Sequence, residues 1–368
     1  MFRYVFMFLT ATNIYLFLKL HSGFGRGWWN IVYIAWAVAW AALGLTSQWD
    51  FFGMGERVEF LYSTAFTRAA IVGIACAIFL VIDISSLFAK FIDVIFGASF
   101  ISDFFNPRKY VPIVILLTMS ISVYSFYEAW NVRRVSLEME TSKLPEGIDR
   151  LRLVHISDVH LASGLFTINR LRKIMDIASE AEPDILVYTG DLIDSRTSFF
   201  EEEAVLLALC KAKWGVYAVT GNHEFISGGV GRTVDFMKRA DITLLRDAKI
   251  EIAGITILGV DEQLEWRKRW PDELHIAKDR FVLLLKHRPD IIKDSDGKFD
   301  LQLSGHTHGG QIWPFGYATQ RANNSVQKLS YIGDSAIYVS NGAGFWGPAL
   351  RFLTPPEVTV IDLVRAES

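Results

Sequence analysis

The sequence contains little cysteine and little net charge. Its 368 residues include two cysteines, Cys76 in an apolar run and Cys210 in a helical pattern, which argues against a disulfide-stabilised fold. The 37 basic and 40 acidic residues give a net charge of -3. This near balance excludes the strongly basic surface on which nucleic-acid binding depends, so we expect no nucleic-acid partner.

Long apolar runs are abundant, and they are confined to the first third of the chain. Hydrophobic residues make up 51% of the sequence, and the mean hydropathy of +0.26 is high for a soluble protein. Runs at 2–20, 28–46, 68–88 and 110–128 approach the ~20 residues that a helix needs to cross a bilayer. The sequence therefore predicts an N-terminal α-helical membrane domain of about four spans at residues 1–130.

A change of composition after residue 130 indicates a second, soluble part. Charged and turn-forming residues recur from there on, so we predict a linker at 131–147 and a soluble domain at 148–368. Arg133 and Arg134 directly follow the last predicted span, which favours a cytoplasmic soluble domain. Asp83 is an ionisable residue in the third predicted span, with no basic residue one helical turn away. We expect an integral protein of the cell (inner) membrane.

Five short apolar runs of the soluble domain each end at residues that can bind metals. They are LRLVHI before Asp158 and His160, DILVYT before Asp191, GVYAVT before Asn222 and His223, FVLLLK before His287, and LQLS before His306 and His308. Helical patterns at 167–181 and 198–212 separate the first three runs, which predicts parallel strands in a mixed two-sheet α/β sandwich. Because ligands of open α/β sheets bind beyond the carboxyl ends of the strands, we expect these side chains to form one site.

The residues at these strand ends offer more ligands than one ion can bind. They are two carboxylates, four imidazoles and an amide: Asp158, His160, Asp191, Asn222, His287, His306 and His308. Such a set suits two divalent ions that share a carboxylate and act on a phosphate ester. Since no thiolate takes part, Mn, Fe, Zn or Co are the candidate metals. His223 is left without a metal, and we predict that it protonates the leaving oxygen or stabilises phosphoryl charge, with Glu224 orienting it.

The order of these motifs is similar to that of a known superfamily. Asp-x-His (158, 160), Gly-Asp (190, 191), Gly-Asn-His-Glu (221–224), His287 and Gly-His-x-His (305–308) resemble the calcineurin-like metallophosphoesterases, from about residue 148 to the C-terminus. The resemblance implies a four-layer α/β/β/α sandwich with a binuclear metal centre. It implies that Asp158, His160 and His308 bind one ion, that Asn222, His287 and His306 bind the other, that Asp191 bridges them, and that His223 is the catalytic acid. LKHRPD around His287, GHTHGGQI and the C-terminal YVSNGAGFWGPALRFLTPPEVTVIDL look like membrane-associated bacterial phosphodiesterases of the YaeI/YkuE type.

We therefore predict a membrane-anchored, binuclear metal-dependent phosphoesterase that hydrolyses phosphodiester or pyrophosphate bonds. A lipid or nucleotide-lipid is the expected kind of substrate. Two alternatives stay open at this point. One is a phosphomonoesterase or protein phosphatase, and the other is a non-catalytic metal-binding scaffold on a membrane transporter or sensor.

Three further residues have a structural and a functional interpretation. Arg351 follows a glycine-rich segment, and it either binds the substrate phosphate or forms a surface ion pair. Asp194 either supports the site or caps a turn or helix. His155 lies inside a predicted strand, so we predict a buried structural histidine and not a metal ligand.

Overall fold

The structure is a computed structural model, and it describes most of the chain. The described residues are 2–28, 30–31, 33–35, 37–38, 56–96, 102–161, 168–194, 201–226, 230–262, 279–290, 297–323, 325 and 328–366. Most of the second predicted span, 28–46, lies outside these residues, as does the start of the helical pattern predicted at 198–212.

The chain divides into two compact units. The first comprises Met1–Phe126 and Gly347–Leu350, and the second comprises Tyr127–Trp346 and Arg351–Ser368. The N-terminal helices are α1 (Phe2–Phe24), α2 (Glu56–Phe96) and α3 (Pro107–Trp130), with a 3-10 helix at Ser102–Phe105. Within the described residues, two segments are long and apolar enough to cross a membrane, Ser63–Phe96 and Pro107–Trp130. The predicted domain of about four spans is therefore not confirmed. Helix α2 continues past the predicted end at residue 88 because no proline interrupts it.

The acidic residue of the predicted third span has a cationic partner. The Asp83 carboxylate forms an ion pair with Lys19 of α1, and it accepts a hydrogen bond of 2.6 Å from the Tyr15 hydroxyl. Pairing of this kind reduces the cost of a charge among apolar helices. The partner comes from a different helix, so a search for a basic residue one turn away on the same helix does not find it.

The second unit contains two six-stranded sheets, which confirms the predicted mixed α/β fold. The first sheet has the order β1 (Arg133–Thr141), β12 (Glu357–Arg365), β2 (Arg150–Ile156), β3 (Ile185–Thr189), β4 (Val216–Val219), β5 (Thr243–Leu244). The second has the order β10 (Lys328–Ile332), β11 (Ser335–Val339), β9 (Leu301–Ser304), β8 (Val282–Lys286), β7 (Ile255–Val260), β6 (Ala248–Ile252). The helices of this unit are α4 (Ile168–Glu180), α5 (Glu201–Leu209), α6 (Asn222–Ile226), α7 (Val230–Arg239) and α8 (Phe315–Ala322), with a 3-10 helix at His308–Gly310.

The parallel strands bring the metal-type residues to one edge of each sheet. Strands β2, β3, β4 and β5 pair in parallel, and so do β7, β8, β9 and β11. The carboxyl ends of parallel strands lie together, so the polar residues that follow β2, β3 and β4 are neighbours. The same holds for the residues that follow β8 and β9.

Both faces of the first sheet are buried, and side-chain alternation explains how. Leu151 and Leu153 of β2 pack into the core between the two sheets, whereas Val154 and Ile156 pack into a second core with α4, α5 and α7. Helix α4 points its predicted apolar stripe at that second core: Leu171, Ile174, Met175 and Ala178 are all buried. Helices, first sheet and second sheet thus form three stacked layers.

A third cluster covers the outer face of the second sheet. It includes Leu258, Leu284, Phe299 and Ile337. No described helix contributes to this cluster, and residues 263–278 and 291–296 lie outside the described part of the chain. The fourth layer of the expected sandwich stays a prediction.

The residues predicted as a linker instead form an edge strand. Strand β1 pairs in parallel with β12 along its whole length, from Arg133 with Glu357 to Thr141 with Arg365. The segment alternates apolar residues with charged and polar ones, as in Val135, Leu137 and Met139, and its burial alternates in step. This pattern is typical of a half-buried edge strand, so the fold of the second unit begins before the predicted boundary at 148.

Candidate metal centre and active site

The predicted ligands lie in loops that directly follow strands of both sheets. Asp158 and His160 follow β2, Asp191 follows β3, Asn222 follows β4, His287 follows β8, and His306 and His308 follow β9. Five of them have a left-handed backbone, with φ of 52° at Asp158, 52° at His160, 51° at Asp191, 69° at His306 and 50° at His308. Residues other than glycine rarely adopt this conformation, and such residues are enriched at functional sites, where the surrounding structure enforces it.

Two glycines allow loops from different strands to approach each other closely. A Cβ atom at Gly221 would lie 2.2 Å from Asp191 Oδ1, and one at Gly305 would lie 2.1 Å from Asp158 Oδ2. Any side chain at either position would therefore displace a predicted ligand. This explains why glycine precedes both the Asn-His-Glu and the His-Thr-His motifs.

The first group of converging side chains contains Asp158, His160 and His308. Their donor atoms lie within 4.8 Å of one another, and all three residues are buried. His160 Nε2 lies 3.1 Å from His308 Nε2, and His308 Nε2 lies 3.4 Å from Asp158 Oδ1. One ion between these atoms would contact all three side chains.

The second group contains Asp191, His287 and His306, again within 4.8 Å of one another. His306 Nδ1 and Asn222 Oδ1 each lie 3.2 Å from His287 Nε2. Asp191 Oδ2 lies 3.1 Å from His287 Nε2 and 3.9 Å from His160 Nε2, so this carboxylate reaches both groups. All seven residues predicted as ligands are brought together in this way.

The chemistry and the spacing of these donors fit divalent metal ions. Ligand atoms held about 2.1 Å from one ion lie about 3.0–3.4 Å apart at octahedral or tetrahedral angles. The pairs His160–His308 and His287–His306 have nitrogen atoms 3.1 and 3.2 Å apart. Nε2 of His160 faces the other donor atoms, whereas its Nδ1 lies 3.4 Å from Asp194 Oδ2. Imidazole nitrogens and carboxylate oxygens are suitable ligands for Mn, Fe, Zn and Co.

Burial and neighbouring charges shift the pKa values of this cluster in opposite directions. Burial alone would lower the pKa of His287, but the charge of Asp191 and its hydrogen bond raise it to about 10. Burial alone would raise the pKa of Asp191, but His287 holds it well below the usual value. Burial, together with the charges of His287 and Arg288, lowers the pKa of His306 to about 3. His287 and Asp191 therefore form an ion pair, and metal binding by His287 would displace its proton.

His223 lies beside the cluster and is held by Asp194. Its Nδ1 is hydrogen-bonded to Asp194 Oδ1, and because a carboxylate only accepts, Nδ1 carries a proton. Burial alone would lower the pKa of His223, but the hydrogen bond to Asp194 and the charges of Asp191 and Asp194 raise it to about 9. His223 is thus protonated at neutral pH and able to donate a proton. Donor atoms of His160, Asp191 and His223 also lie within 4.8 Å of one another. Of the two interpretations of Asp194, the structure favours support of the site.

Glu224 fixes the backbone near the site, and it is not the partner of the His223 ring. Its carboxylate, only 1% exposed, accepts hydrogen bonds from the backbone N–H groups of Asp191 (3.0 Å), Leu192 (2.7 Å), Ile193 (3.1 Å) and Gly221 (2.6 Å). The loops after β3 and β4 are therefore tied together by one buried anion. The sequence places Glu224 next to His223, but sequence adjacency does not reveal where its carboxylate points.

Arg351 does not lie at the surface, and its guanidinium is not free to bind a substrate phosphate in this structure. It is fully buried and donates hydrogen bonds to the backbone carbonyls of Gly344 (2.7 Å), Asn341 (2.7 Å) and Thr354 (3.0 Å). Its Nη2 also lies 3.0 Å from His308 Nδ1. Burial lowers the pKa of Arg351 to about 10, against the charges of Asp158 and Glu357, which raise it. Arg351 thus braces the loops around His308, which corrects both the predicted substrate contact and the surface alternative.

Arg288 is the exposed guanidinium that the sequence reasoning missed. It directly follows His287, its side chain is 40% exposed, and it is paired with Glu262. Its charge contributes to the lowered pKa of His306. The only signal in the sequence is its position next to a predicted ligand.

His155 confirms the prediction of a structural histidine. It is fully buried in β2, with Nε2 2.7 Å from Thr189 Oγ1. Burial lowers its pKa to about 3.

Taken together, two sheets whose strand ends meet in a buried cluster of acids and imidazoles form an α/β protein with a candidate metal centre. Comparison with known proteins identifies its family. A family model described as calcineurin-like phosphoesterase matches residues 151–310. An uncharacterized metallophosphoesterase of Aquifex aeolicus is 33% identical over 260 residues, which cover 67% of this chain and 97% of that protein.

Two other relatives have similar coverage of this chain. The metallophosphoesterase YkuE of Bacillus subtilis is 35% identical over 258 residues, which cover 65% of this chain and 87% of that protein. A Danio rerio protein described as a transmembrane protein with metallophosphoesterase domain is 28% identical over 274 residues, which cover 69% and 62% of the two chains. The chain belongs to the calcineurin-like metallophosphoesterase family.

Proposed function

We propose that the protein is a metal-dependent hydrolase that cleaves phosphodiester or pyrophosphate bonds at a binuclear centre. The observation that carries the proposal is the pair of donor groups that meet at Asp191, with the protonated His223 beside them. A single carboxylate within reach of two imidazole groups is the arrangement that two neighbouring ions require.

The residues present fit two ions in the following allocation. Asp158, His160 and His308 would hold one ion, Asn222, His287 and His306 would hold the other, and Asp191 lies within reach of both groups. When bound, the ions supply positive charge for the phosphoryl oxygens and make water a nucleophile near neutral pH. The three imidazoles of the second sheet must be neutral to bind, so binding releases the proton of His287.

His223 performs the proton transfer in this proposal. The oxygen of a water molecule that has lost a proton to solvent bonds to phosphorus, and the bond from phosphorus to the leaving oxygen breaks. His223 gives its proton to that oxygen and then regains one from solvent. Asp194 holds the ring through Nδ1, which leaves Nε2 to donate. General acid catalysis of this kind contributes typically about 10²–10⁴ in rate.

The substrate is a phosphodiester or pyrophosphate in this proposal, with a lipid or nucleotide-lipid as the natural compound. Arg288 directly follows His287, and its side chain is 40% exposed, so in this proposal it exchanges its partner Glu262 for an anionic group of the substrate. The net charge of -3 does not favour a nucleic acid as the substrate.

We also propose that the chain is an integral protein of the cell (inner) membrane with the second unit in the cytoplasm. Two segments long and apolar enough to cross a membrane support this, and the Danio rerio relative is described as transmembrane. Arg133 and Arg134 follow α3 directly, and basic residues accumulate on the cytoplasmic side of membrane spans.

The test uses the full chain, purified in detergent and supplied with Mn²⁺. We expect hydrolysis of bis-p-nitrophenyl phosphate well above the metal-free background, and slower hydrolysis of p-nitrophenyl phosphate. Faster hydrolysis of the monoester would replace the proposal with a phosphomonoesterase. Two bound metals without turnover of either ester would indicate the non-catalytic scaffold.

A further inference from the structure

Four residues near the C-terminus of the chain pack with the N-terminal helices. The Gly347–Leu350 segment belongs to the same compact unit as Met1–Phe126, whereas the residues on either side of it belong to the second unit. Ala349 and Leu350 of this segment are buried. Because the segment is covalently bonded to residues 346 and 351, any contact that fixes its position also restrains those two residues.

Two hydroxyl groups of α2 hold the Gly347–Leu350 segment. The Ser63 hydroxyl donates a hydrogen bond of 3.2 Å to the Gly347 carbonyl, and the Ala349 N–H donates one of 3.2 Å to the Thr67 hydroxyl. Thr67 in turn donates to the Ser63 carbonyl at 2.7 Å, so its hydroxyl both accepts and donates. Ser63 and Thr67 are four residues apart and therefore lie on one face of α2. Two bonds of opposite direction fix the orientation of the segment as well as its position.

The residues that flank this segment both lie at the candidate centre. Trp346 precedes it, and its ring is 5.9 Å from the ring of His223, measured between centroids. Arg351 follows it, and Nη2 of its guanidinium lies 3.0 Å from His308 Nδ1. A displacement of the segment would therefore move side chains that contact the proposed proton donor and a predicted metal ligand. A displacement of about 1 Å at a catalytic group can lower a rate about 10²-fold.

We propose that Ser63 and Thr67 of α2 are positioning residues of the candidate active site. They hold the Gly347–Leu350 segment, and the segment keeps Trp346 beside His223 and Arg351 against His308. In this proposal the N-terminal helices contribute to catalysis and not to membrane attachment alone. The inference rests on the proposed function.

The test compares two esters that depend to different degrees on the proton donor. The full chain, purified in detergent and supplied with Mn²⁺, is given methyl p-nitrophenyl phosphate and methyl phenyl phosphate, which have the same charge. Phenoxide is the poorer leaving group, so hydrolysis of the phenyl ester depends more on the proton from His223. The measured quantity is the ratio of kcat for the p-nitrophenyl ester to kcat for the phenyl ester. An unfolded fraction of the protein cancels in this ratio.

Matched variants separate positioning from a general effect on the helices. In the double variant Ser63→Ala with Thr67→Val, kcat for the phenyl ester should fall at least about tenfold and the ratio should rise at least about threefold. Thr67→Ser keeps a hydroxyl and should keep the wild-type ratio. The control is Thr118→Val with Ser122→Ala on α3, where the two residues are also four apart and Ser122 donates to the Thr118 carbonyl at 2.7 Å. This control should keep the wild-type ratio as well.

Hydrogen exchange of the metal-free chain provides a readout that does not depend on activity. The Ala349 N–H loses its acceptor in the double variant of α2. Exchange in peptides that cover 347–351 should therefore become at least about fivefold faster, which is the effect of one lost hydrogen bond. The α3 control should exchange at the wild-type rate. If the double variant of α2 does not fold, the single variant Thr67→Val replaces it, with the same expected directions.

The outcomes distinguish the inference from the proposed function. Hydrolysis of neither ester by the wild-type protein would overturn the proposed function, and the inference with it. If the wild-type protein is active, an unchanged ratio in the α2 variant, or an equal rise in the α2 variant and the α3 control, would overturn the positioning role alone. Unchanged hydrogen exchange in the α2 variant would show that the two hydroxyls do not hold the segment, which would also overturn that role.

Discussion

The loops of the first sheet and those of the second sheet contribute different chemistry to the same centre. The first sheet supplies both carboxylates, the amide, the imidazole of His160 and the proposed proton donor, whereas the second supplies the imidazoles of His287, His306 and His308. The loops are also braced by ions of opposite sign. The buried carboxylate of Glu224 accepts from backbone N–H groups on the first side, and the buried guanidinium of Arg351 donates to carbonyls on the second.

The difference shows how a two-sheet fold divides the assembly of a metal centre. The two carboxylates come from one sheet and three of the four imidazoles from the other, so each group of donors is complete only when the two sheets pack together. Each brace uses one buried ion to fix several backbone groups, which a neutral side chain with fewer donors or acceptors cannot do. We therefore expect a substitution on one side to affect the ion held there more than the ion held on the other side.

Removal of the carboxylate that joins the two sides should have the largest effect. Asp191 reaches imidazoles of both sheets, so Asp191→Ala should reduce bound metal from two ions per chain to one or fewer and turnover to background. Metal is measured by mass spectrometry after gel filtration. Asp241→Asn, at a largely exposed carboxylate in the same unit, is the control and should retain both ions. Full metal content in Asp191→Ala would contradict the shared-ligand assignment.

Loss of the proton donor should reduce turnover without changing metal content. His223→Asn removes the ionisable ring, so kcat should fall about 10²–10⁴-fold while two ions stay bound. Asp194→Asn keeps the ring and removes the carboxylate that raises its pKa to about 9, so the alkaline limb of the pH–rate profile should move to lower pH. Loss of one ion in His223→Asn would show that His223 is a ligand and not the acid.

Loss of the Arg351 or the Glu224 side chain should affect mainly the side of the centre whose loops it holds. Arg351→Met leaves buried carbonyls without donors. Glu224→Gln replaces one of the two accepting oxygens by an NH2 group that faces backbone N–H groups, so each change should lower the free energy of unfolding by about 1–3 kcal/mol. Thermal unfolding with and without chelator measures this. At limiting Mn²⁺, Arg351→Met should lower the affinity for the ion held with His308. Glu224→Gln should lower the affinity for the ion or ions held with Asp191. Equal loss of both ions in both variants would argue against separable sides.

The smallest effect concerns a histidine of the first sheet outside the centre. The pKa of buried His155 is lowered to about 3, so between pH ~6.5 and ~3 the unfolded chain binds a proton that the folded chain does not. Stability should therefore fall as the pH falls through this window, by up to about 1.4 kcal/mol per pH unit. His155→Gln should make the curve shallower. Unfolding is followed with chelator present throughout, so that metal loss does not contribute; parallel curves for both proteins would refute the assignment.

The sequence predicts the centre better than it predicts the fold around it. Each ligand follows a strand directly, so strand prediction alone brings His160, His287 and His308 to one edge of the sheets. Charge partners such as Asp194 for His223 depend on side-chain direction in loops, which sequence spacing does not encode. The burial of Arg351 depends on carbonyls from two loops that meet only after folding.

Boundaries and turns were harder to predict for physical reasons. Strands β6 and β7 form a hairpin whose turn is made by Ala253 and Gly254, with φ of 50° and 74°. Asn-Gly or Asp-Gly is the usual signal for such a turn, and Ala-Gly is a weaker one. Strand β1 is half exposed and follows a membrane-type helix directly, so its alternation was interpreted as a linker.

The pairing of β1 with β12 has a consequence for how the protein is made. The two strands are roughly 220 residues apart in sequence, and contacts this distant form late in folding. When the ribosome releases β1, its partner has not yet been synthesised, while β2, β3 and β4 can already associate. The first sheet is therefore completed only after β12 has been translated, and a nascent chain that stalls before β12 has an unpaired strand edge for chaperones to protect.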